Sequence, residues 1–124
     1  MKDFSVKLRV SFQQDARRFF GPGICELLER TRDAGSIRAA ALQMNMAYSK
    51  ASRILKEAQC ALGFSLLESN IGGVGGGGSR LTLRGEAFIH QYRSLQRDLQ
   101  EQADALLQHY FFSNENKMPQ EENS

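Results

Sequence analysis

The sequence lacks the features that define several broad classes of protein. Its 124 residues contain two cysteines, too few for a disulfide framework and not spaced for zinc. No run of about 18–20 uncharged apolar residues occurs, which argues against a membrane span. The first residues show no basic stretch followed by an apolar one, so we expect a cytoplasmic protein with reduced thiols.

Charge of one sign is also scarce, because 16 basic residues balance 14 acidic ones and leave a net charge of +2. The distribution is more informative than the total. No Asp or Glu occurs from Ala34 through Lys56, a stretch with four basic residues, and a second acid-free run extends from Ser69 through Gly85. Such stretches are typical of a surface that contacts nucleic acid, although scattered surface charge gives the same pattern.

The first part of the chain predicts one strand and one helix. Apolar residues alternate without a break from Phe4 to Phe12, which predicts a half-buried strand. The run Arg17–Gly23 ends that strand, and Pro22 suits the first turn of a helix. Apolar residues then recur at helical spacing up to Gly35, whose position predicts the C-terminal cap.

Two further helices follow with a short break between them. Ser36 predicts an N-cap for a short alanine-rich helix over residues 37–43, and another helix extends from about Ala47 to Gly63. This arrangement matches a helix-turn-helix, whose second helix enters the major groove of DNA and carries the readout in its N-terminal turns. The alternative is an ordinary solvated helix face.

A glycine-rich loop lies between two short predicted strands. The strands cover Phe64–Ile71 and Ser79–Leu83, and the loop Gly72–Gly78 predicts a flexible wing that approaches a DNA backbone or minor groove. The loop also matches G-x-G-x-x-G, but a strand follows it where the dinucleotide fingerprint needs a helix. Three helices and such a hairpin predict a winged helix-turn-helix, mainly α with a small β wing.

The residues predicted to bind DNA come from the short helix, the helix after it and the base of the wing. We expect Lys50 and Arg53 to reach base edges and Lys56, one turn further on, to meet a phosphate. The predicted DNA-binding residues are Ser36, Arg38, Tyr48, Ser49, Lys50, Ser52, Arg53, Lys56 and Arg80. The predicted wing glycines are Gly72, Gly73, Gly75, Gly76, Gly77 and Gly78.

The last predicted helix, from Arg84 to Phe112, is too long for so small a domain to bury. Its apolar residues follow a coiled-coil-like seam with one irregular step, so we expect a second chain to cover it. The predicted dimerisation residues are Phe88, Tyr92, Leu95, Leu99, Ala103, Leu106 and Tyr110. We therefore predict a winged helix-turn-helix over residues 1–83, a long dimerisation helix over 84–112 and a disordered tail over 113–124.

Catalytic chemistry finds little support in the sequence. No nucleophile–base pair can be assigned, and no Cys or carboxylate lies at ligand spacing near both His90 and His109. Glu86 and His90, four residues apart on a helix, form a weak two-ligand geometry that is more often a surface pair. Cys25 is expected in the core, whereas Cys60 projects away from the apolar face of its helix, which leaves a redox role open. We therefore predict no enzymatic activity, no catalytic residue and no metal site.

Several segments resemble the DNA-binding half of the molybdate-responsive (ModE-type) transcriptional regulators, which is similar to LysR-type winged helices. In that family Gly-Ser-Ile opens the second helix, a Tyr-Ser-Lys-Ala-like segment opens the recognition helix, and a glycine wing precedes Leu-Thr. The resemblance covers about residues 4–112 and implies a prokaryotic homodimer, paired through the long helix on an inverted-repeat operator. The matching segments are Gly35-Ser-Ile37, Ala40-Ala41, Tyr48-Ser-Lys-Ala51, Ile71–Gly78, Leu81-Thr82 and Gly85.

The sequence also differs from full-length members of that family. Full-length members carry C-terminal domains that bind molybdate or tungstate, and nothing between Ser113 and Ser124 resembles the Ser-Ala-Arg-Asn segment that holds the anion. We therefore expect no cofactor, and no molybdate or tungstate binding by this chain alone; a separate oxyanion-binding protein is a conceivable partner.

The resulting hypothesis is a sequence-specific transcriptional regulator that binds double-stranded DNA as a homodimer and has no membrane partner. One alternative is a protein-interaction module that uses the long helix, with the winged helix as its scaffold. Another is a nucleotide-binding enzyme built on the glycine loop. The acid-free run Ala34–Lys56 favours the regulator over the module, and the missing helix after Gly78 argues against the enzyme.

Overall fold

The computed structural model describes residues 2–70 and 78–113 of the chain. Residues 9–92 form one compact unit, and residues 2–8 form a second with residues 93–113. The loop part of the predicted wing, residues 72–77, and the predicted tail after residue 113 lie outside the described residues. The elements are β1 Phe12–Gln14, β2 Arg17–Phe20, α1 Pro22–Ala34, α2 Ile37–Gln43, α3 Tyr48–Leu62, β3 Leu67–Asn70, β4 Gly78–Leu81 and α4 Leu83–Leu107, which a π-helical segment Gln108–Phe112 continues.

Helices α1, α2 and α3 begin and end where the local sequence predicts. Gly35 and Gly63 end α1 and α3 with φ angles of 84° and 79°, a left-handed conformation that favours glycine. The Ser36 hydroxyl accepts a hydrogen bond from the Ala39 N–H at 3.1 Å, and α2 begins at the next residue. The predicted caps are therefore confirmed.

The hydrophobic core of residues 9–92 lies where α1, α2 and α3 meet β2, the wing strands and the start of α4. Alanines at the contact between α2 and α3 let the two helices approach closely, and Cys25 is fully buried, as predicted. The buried Thr31 hydroxyl donates a hydrogen bond to the Leu27 carbonyl at 2.8 Å. The largest buried side chains are Tyr92, Phe20, Leu27, Leu28, Leu55 and Leu66.

The first turn of α4 is held against the segment that precedes β3. The Thr82 N–H donates to the Leu66 carbonyl at 3.0 Å, and the Thr82 hydroxyl donates to the Ser65 carbonyl at 2.7 Å. The same hydroxyl accepts the Gly85 N–H at 2.9 Å. A Cβ built at Gly85 would overlap the Leu66 carbonyl oxygen, so any side chain at residue 85 must push the two segments apart.

An ion pair also joins α1 to this turn. The Arg32 guanidinium lies 3.0 Å from the Asp33 carboxylate and 3.4 Å from that of Glu86. Its hydrogen bond to Asp33 and the two negative charges raise the pKa of Arg32, although burial acts in the opposite direction. Arg32 therefore joins α1 to the first turn of α4 as a cation between two carboxylates.

The strands β3 and β4 form the base of the wing and are shorter than predicted. They pair antiparallel from Leu67 opposite Leu81 to Asn70 opposite Gly78. The Ser79 N–H donates to the Gly35 carbonyl at 2.8 Å, and a Cβ at Gly78 would stand 2.7 Å from that same oxygen. The wing is thus fixed at its base to the junction of α1 and α2.

The N-terminal segment corrects one prediction, because residues 4–11 form no strand and β1 begins only at Phe12. The Gln100 side chain takes the place of a neighbouring strand: its Oε1 accepts the Leu8 N–H at 3.0 Å, and its Nε2 donates to the Val6 carbonyl at 2.7 Å. Val6 and Leu8 are half-buried between exposed neighbours. The alternation therefore indicated an extended segment beside a helix.

Residues 12–20 form a β-hairpin, although the sequence predicted that the strand ends at Arg17. The run Arg17–Gly23 contains β2, which pairs antiparallel with β1 through a two-residue turn at Asp15 and Ala16. Both turn residues have positive φ angles, 52° and 63°, as a type I′ turn requires. Alanine is unusual at the second of these positions, so the local sequence did not indicate the turn.

The long helix corrects two further predictions. It changes from α to π geometry after Leu107, so the helix predicted without interruption to Phe112 is irregular at its end. Tyr92 is only 1% exposed, and its hydroxyl donates to the Val10 carbonyl at 2.7 Å. Phe88 packs against the same core, with its ring centroid 4.9 Å from that of Phe20. Tyr92 is therefore covered within its own chain and is not free to form a dimer seam, whereas Phe88, half-buried against the same core, stays a predicted seam residue.

Candidate nucleic-acid interface

The helix α3 separates its buried face from a polar, basic one. Ala51, Leu55 and Ala58 are buried in the core, whereas Ser49, Arg53 and Lys56 are exposed on the opposite side. Ser52 is half-buried at the edge of the exposed face. The Arg53 guanidinium lies 3.2 Å from the Glu57 carboxylate one turn later. Both side chains are more than half exposed, so this ion pair adds little stability.

The turn between α2 and α3 fixes the orientation of this face. Met46 donates its N–H to the Ala41 carbonyl at 2.8 Å, and Asn45 adopts a positive φ of 54°. Asparagine tolerates that conformation better than other non-glycine residues. The four residues from 44 to 47 therefore form the tight connection that a helix-turn-helix requires.

Two of the predicted residues meet at the junction of α2 and α3. The Arg38 guanidinium carbon lies 4.3 Å from the centre of the Tyr48 ring, and both side chains are exposed. Ser36 caps α2 with its oxygen, which leaves its O–H as a donor for another group. The structure therefore places these three residues at the N-terminal ends of α2 and α3.

Arg80 lies on β4 at the base of the wing, as predicted. Its guanidinium forms a cross-strand ion pair with the Glu68 carboxylate at 2.9 Å. Both side chains are largely exposed, so Arg80 can exchange this partner for a phosphate at small cost. Of the predicted wing glycines only Gly78 is among the described residues; Gly72, Gly73, Gly75, Gly76 and Gly77 are not.

A groove of about 800 Å³ runs along the exposed face of α3. One side contains the predicted residues Tyr48, Ser49, Ser52, Arg53 and Lys56. The β1–β2 hairpin forms the other side, and its Arg17 and Arg18 are functional candidates that the sequence interpretation missed. The sequence signal for these candidates is the adjacent arginine pair itself, which the sequence analysis assigned to the end of the first strand.

Lys50 lies on a flank of α3 rather than at the centre of its exposed face. It lines a smaller cavity of about 230 Å³ together with Arg9 and Arg18. Cys60 is exposed and lines the larger groove, which agrees with the exposure predicted for it. Among the described residues no group of three His, Cys, Asp or Glu side chains is arranged to hold a metal ion.

Known proteins with similar sequences are named ModE. Over 108 residues, or 87% of this chain, the sequence is 34% identical to the transcriptional regulator ModE of Haemophilus influenzae, of which it covers 41%. Over 93 residues, or 75% of this chain, it is 36% identical to the molybdenum transport protein ModE of Herbaspirillum seropedicae, of which it covers 32%. The chain is homologous to ModE. It spans less than half the length of either ModE relative.

Solved structures support the fold assignment. The chain is similar to the DNA-binding domain of CbnR in its crystal structure with DNA, with a TM-score of 0.52 and 23% sequence identity. The match covers 67% of this chain and 90% of that domain. No protein-family model matches the chain. The predicted winged-helix fold and the ModE resemblance are therefore confirmed.

The segments that carry the ModE resemblance now have structural roles. Gly35-Ser-Ile37 ends α1, caps α2 and accepts the Ser79 N–H from the wing. Tyr48 to Ala51 forms the first turn of α3. Thr82 and Gly85 form the corner at which α4 begins against Leu66. The ModE-like sequence pattern thus marks the junctions that orient α3 and the wing.

The rest of the predicted seam lies in the unit that residues 93–113 form with residues 2–8. Ala103 is half-buried there, whereas Leu95, Leu99, Leu106 and Tyr110 are 38–58% exposed. Phe111, which is not among the predicted seam residues, is also 40% exposed. Its ring contacts that of Phe4, with centroids 5.7 Å apart. None of the helices in the described ranges is long and apolar enough to cross a membrane.

Proposed function

We propose that this chain is a DNA-binding transcriptional regulator and that α3 is its recognition helix. The observation that supports this most directly is the exposed face of α3, where polar and basic side chains project from a winged-helix fold. The ModE relatives support the regulatory role. Ser49 and Arg53 lie within the first two turns of α3, the part of a recognition helix that reaches base edges.

The contacts divide by what each side chain can reach. Arg53 can donate two parallel hydrogen bonds to a guanine edge, after it releases the weakly held Glu57 carboxylate. Lys56 lies one turn later and carries a point charge that suits a phosphate. We expect Arg38 and Tyr48, which stack on each other at the start of α3, to bind the DNA backbone beside the groove.

We also propose that the chain acts as a homodimer through α4 on an inverted-repeat operator. Support comes from the exposed seam residues Leu95, Leu99, Leu106 and Tyr110, which an isolated chain leaves in contact with water. Two-fold symmetric dimers of this kind bind half-sites separated by about one helical turn of DNA, 10–10.5 base pairs, or a multiple of it, so we expect an operator with that spacing.

Selection from a pool of random duplexes tests both proposals. We expect the wild-type protein to enrich an inverted repeat whose two halves are related by the dimer axis. Enrichment of a single half-site would contradict the dimer and leave DNA recognition in place. No enrichment above the starting pool would overturn the recognition-helix proposal and favour a protein-interaction module.

A further inference from the structure

The β1–β2 hairpin is a rigid support beside the recognition helix. At its base, Phe20 is fully buried, and the Phe12 ring stacks on it with centroids 5.9 Å apart. At its tip, the Gln14 Nε2 donates to the Ala61 carbonyl in the last turn of α3, at 3.1 Å. The hairpin is therefore fixed at both ends, and its strand β2 runs alongside α3.

The arginines of this hairpin have no carboxylate partner among the described residues, unlike several arginines elsewhere in the chain. Arg30, Arg53 and Arg80 each have a carboxylate partner within 4 Å. Arg17 and Arg18 are both exposed, and among the described residues neither forms an ion pair or a side-chain hydrogen bond. Both side chains line the groove beside α3, so their positive charges are available to an anionic partner there.

Hairpin and wing lie on opposite sides of α3. The Gln59 side chain holds the base of the wing by accepting the Leu66 N–H at 2.7 Å. Lys50 lines the small cavity that also contains Arg18. Nine residues separate Lys50 from Gln59, so at about 100° per residue their side chains point in opposite directions from the helix axis. The exposed face of α3 is therefore flanked by the wing on one side and by the hairpin on the other.

We infer that the hairpin is a second DNA-contacting element, in which Arg17 and Arg18 bind the phosphate backbone on the side of the major groove away from the wing. This inference rests on the proposed function of α3. A helix in the major groove has a phosphate strand on each side, and the wing serves only one of them. Arg9 and Lys50, which line the same flank, extend the positive strip along the other strand.

Phosphate contact makes a quantitative prediction. Each arginine that neutralises a phosphate makes the slope of log K against log salt concentration steeper by about 0.9. At 0.1 M salt this corresponds to about eightfold in affinity. The variant R17A/R18A should therefore bind the selected operator and a random duplex more weakly by the same factor. Its salt slope should fall by about two units for each bound chain. The charge-preserving variant R17K/R18K should restore most of the slope.

The experiment titrates wild type, R17A/R18A, R17K/R18K and the control K7A/R97A against both duplexes at several salt concentrations. The control removes the same charge from exposed positions outside residues 9–92, and we expect it to bind as wild type does. Because Arg17 and Arg18 are exposed, the melting temperature of R17A/R18A should stay close to that of wild type.

The outcomes separate this inference from the proposed function. If wild type binds the operator and R17A/R18A keeps its affinity and salt slope, the hairpin does not contact DNA and α3 remains the recognition helix. If R17A/R18A lost affinity for the operator alone, the hairpin would contact bases rather than phosphates. If K7A/R97A lost as much affinity as R17A/R18A, the effect would come from net charge. Either result overturns the inference. Wild type that binds neither duplex overturns both proposals.

Discussion

Replacing Arg53 by alanine should weaken binding to operator DNA by about 5- to 140-fold and leave binding to random DNA nearly unchanged. The range corresponds to the 1–3 kcal/mol that a lost base contact typically costs, at about 1.4 kcal/mol per factor of ten. Arg53 lies at the centre of the exposed face of α3. Its ion pair with Glu57 is 60% and 53% exposed on the two sides, so releasing it costs less than about 1 kcal/mol.

Two variants of neighbouring residues serve as controls in the same titration. Lys56→Ala should weaken operator and random duplexes by the same factor and lower the salt slope by about one unit, because Lys56 is expected at a phosphate. Glu57→Ala should tighten both, since it removes a negative charge from the groove and frees Arg53. Neither exchange touches the buried face of α3, so all three variants should melt close to wild type.

The measurement is fluorescence anisotropy on the selected operator and on a random duplex of equal length, at several salt concentrations. If Arg53→Ala weakened both duplexes equally and lowered the salt slope, Arg53 would be a phosphate contact. Full affinity of both Arg53→Ala and Lys56→Ala for both duplexes would mean that the exposed face of α3 does not touch DNA.

Four further experiments test the remaining reasoning. Gly85→Ala should lower the free energy of unfolding by about 1–3 kcal/mol, because the added Cβ overlaps the Leu66 carbonyl. Gly23→Ala, whose added Cβ meets nothing within 4 Å, should raise it by about 0.5–1 kcal/mol. Equal effects of the two variants in thermal melts would refute the close approach at Gly85. Replacing Leu95 and Leu99 by Asp should give monomers by light scattering, and a dimeric double mutant would exclude this seam. Shortening Gly72–Gly78 by three residues should weaken DNA binding with little change in melting temperature, because loop length costs little in folding; an equal loss of both would make the loop structural. Molybdate or tungstate should leave the melting temperature of this chain unchanged, and a rise in it would reveal an anion site.

The sequence predicted the three helices well because their boundaries depend on neighbouring residues. A glycine in the left-handed conformation ends α1 and α3, and the Ser36 hydroxyl bonds to an N–H three residues away. Such interactions are contained within a few residues, so the sequence pattern is sufficient to indicate them. The exposed face of α3 followed for the same reason, since the helical period alone separates it from the buried face.

The hairpin was missed because distant residues hold it in place. The backbone at Asp15 and Ala16 adopts two positive φ angles without a glycine. What stabilises that turn is the contact of Gln14 with Ala61 and the packing of Phe12 on Tyr92, across 47 and 80 positions of sequence respectively. No local pattern reports such contacts. The candidate phosphate contacts Arg17 and Arg18 were therefore overlooked together with the strand that carries them.

The long helix shows a different limit of sequence interpretation. A repeat of apolar residues at coiled-coil spacing indicates that a stripe is buried, but not which chain buries it. Tyr92 is covered by Phe12 and Phe20 of the same chain, which no periodicity within α4 can reveal. Leu95, Leu99, Leu106 and Tyr110 follow the same repeat and stay exposed. The case for a dimer therefore depends on these four side chains and on the half-buried Phe88, and a variant at Tyr92 would test folding rather than association.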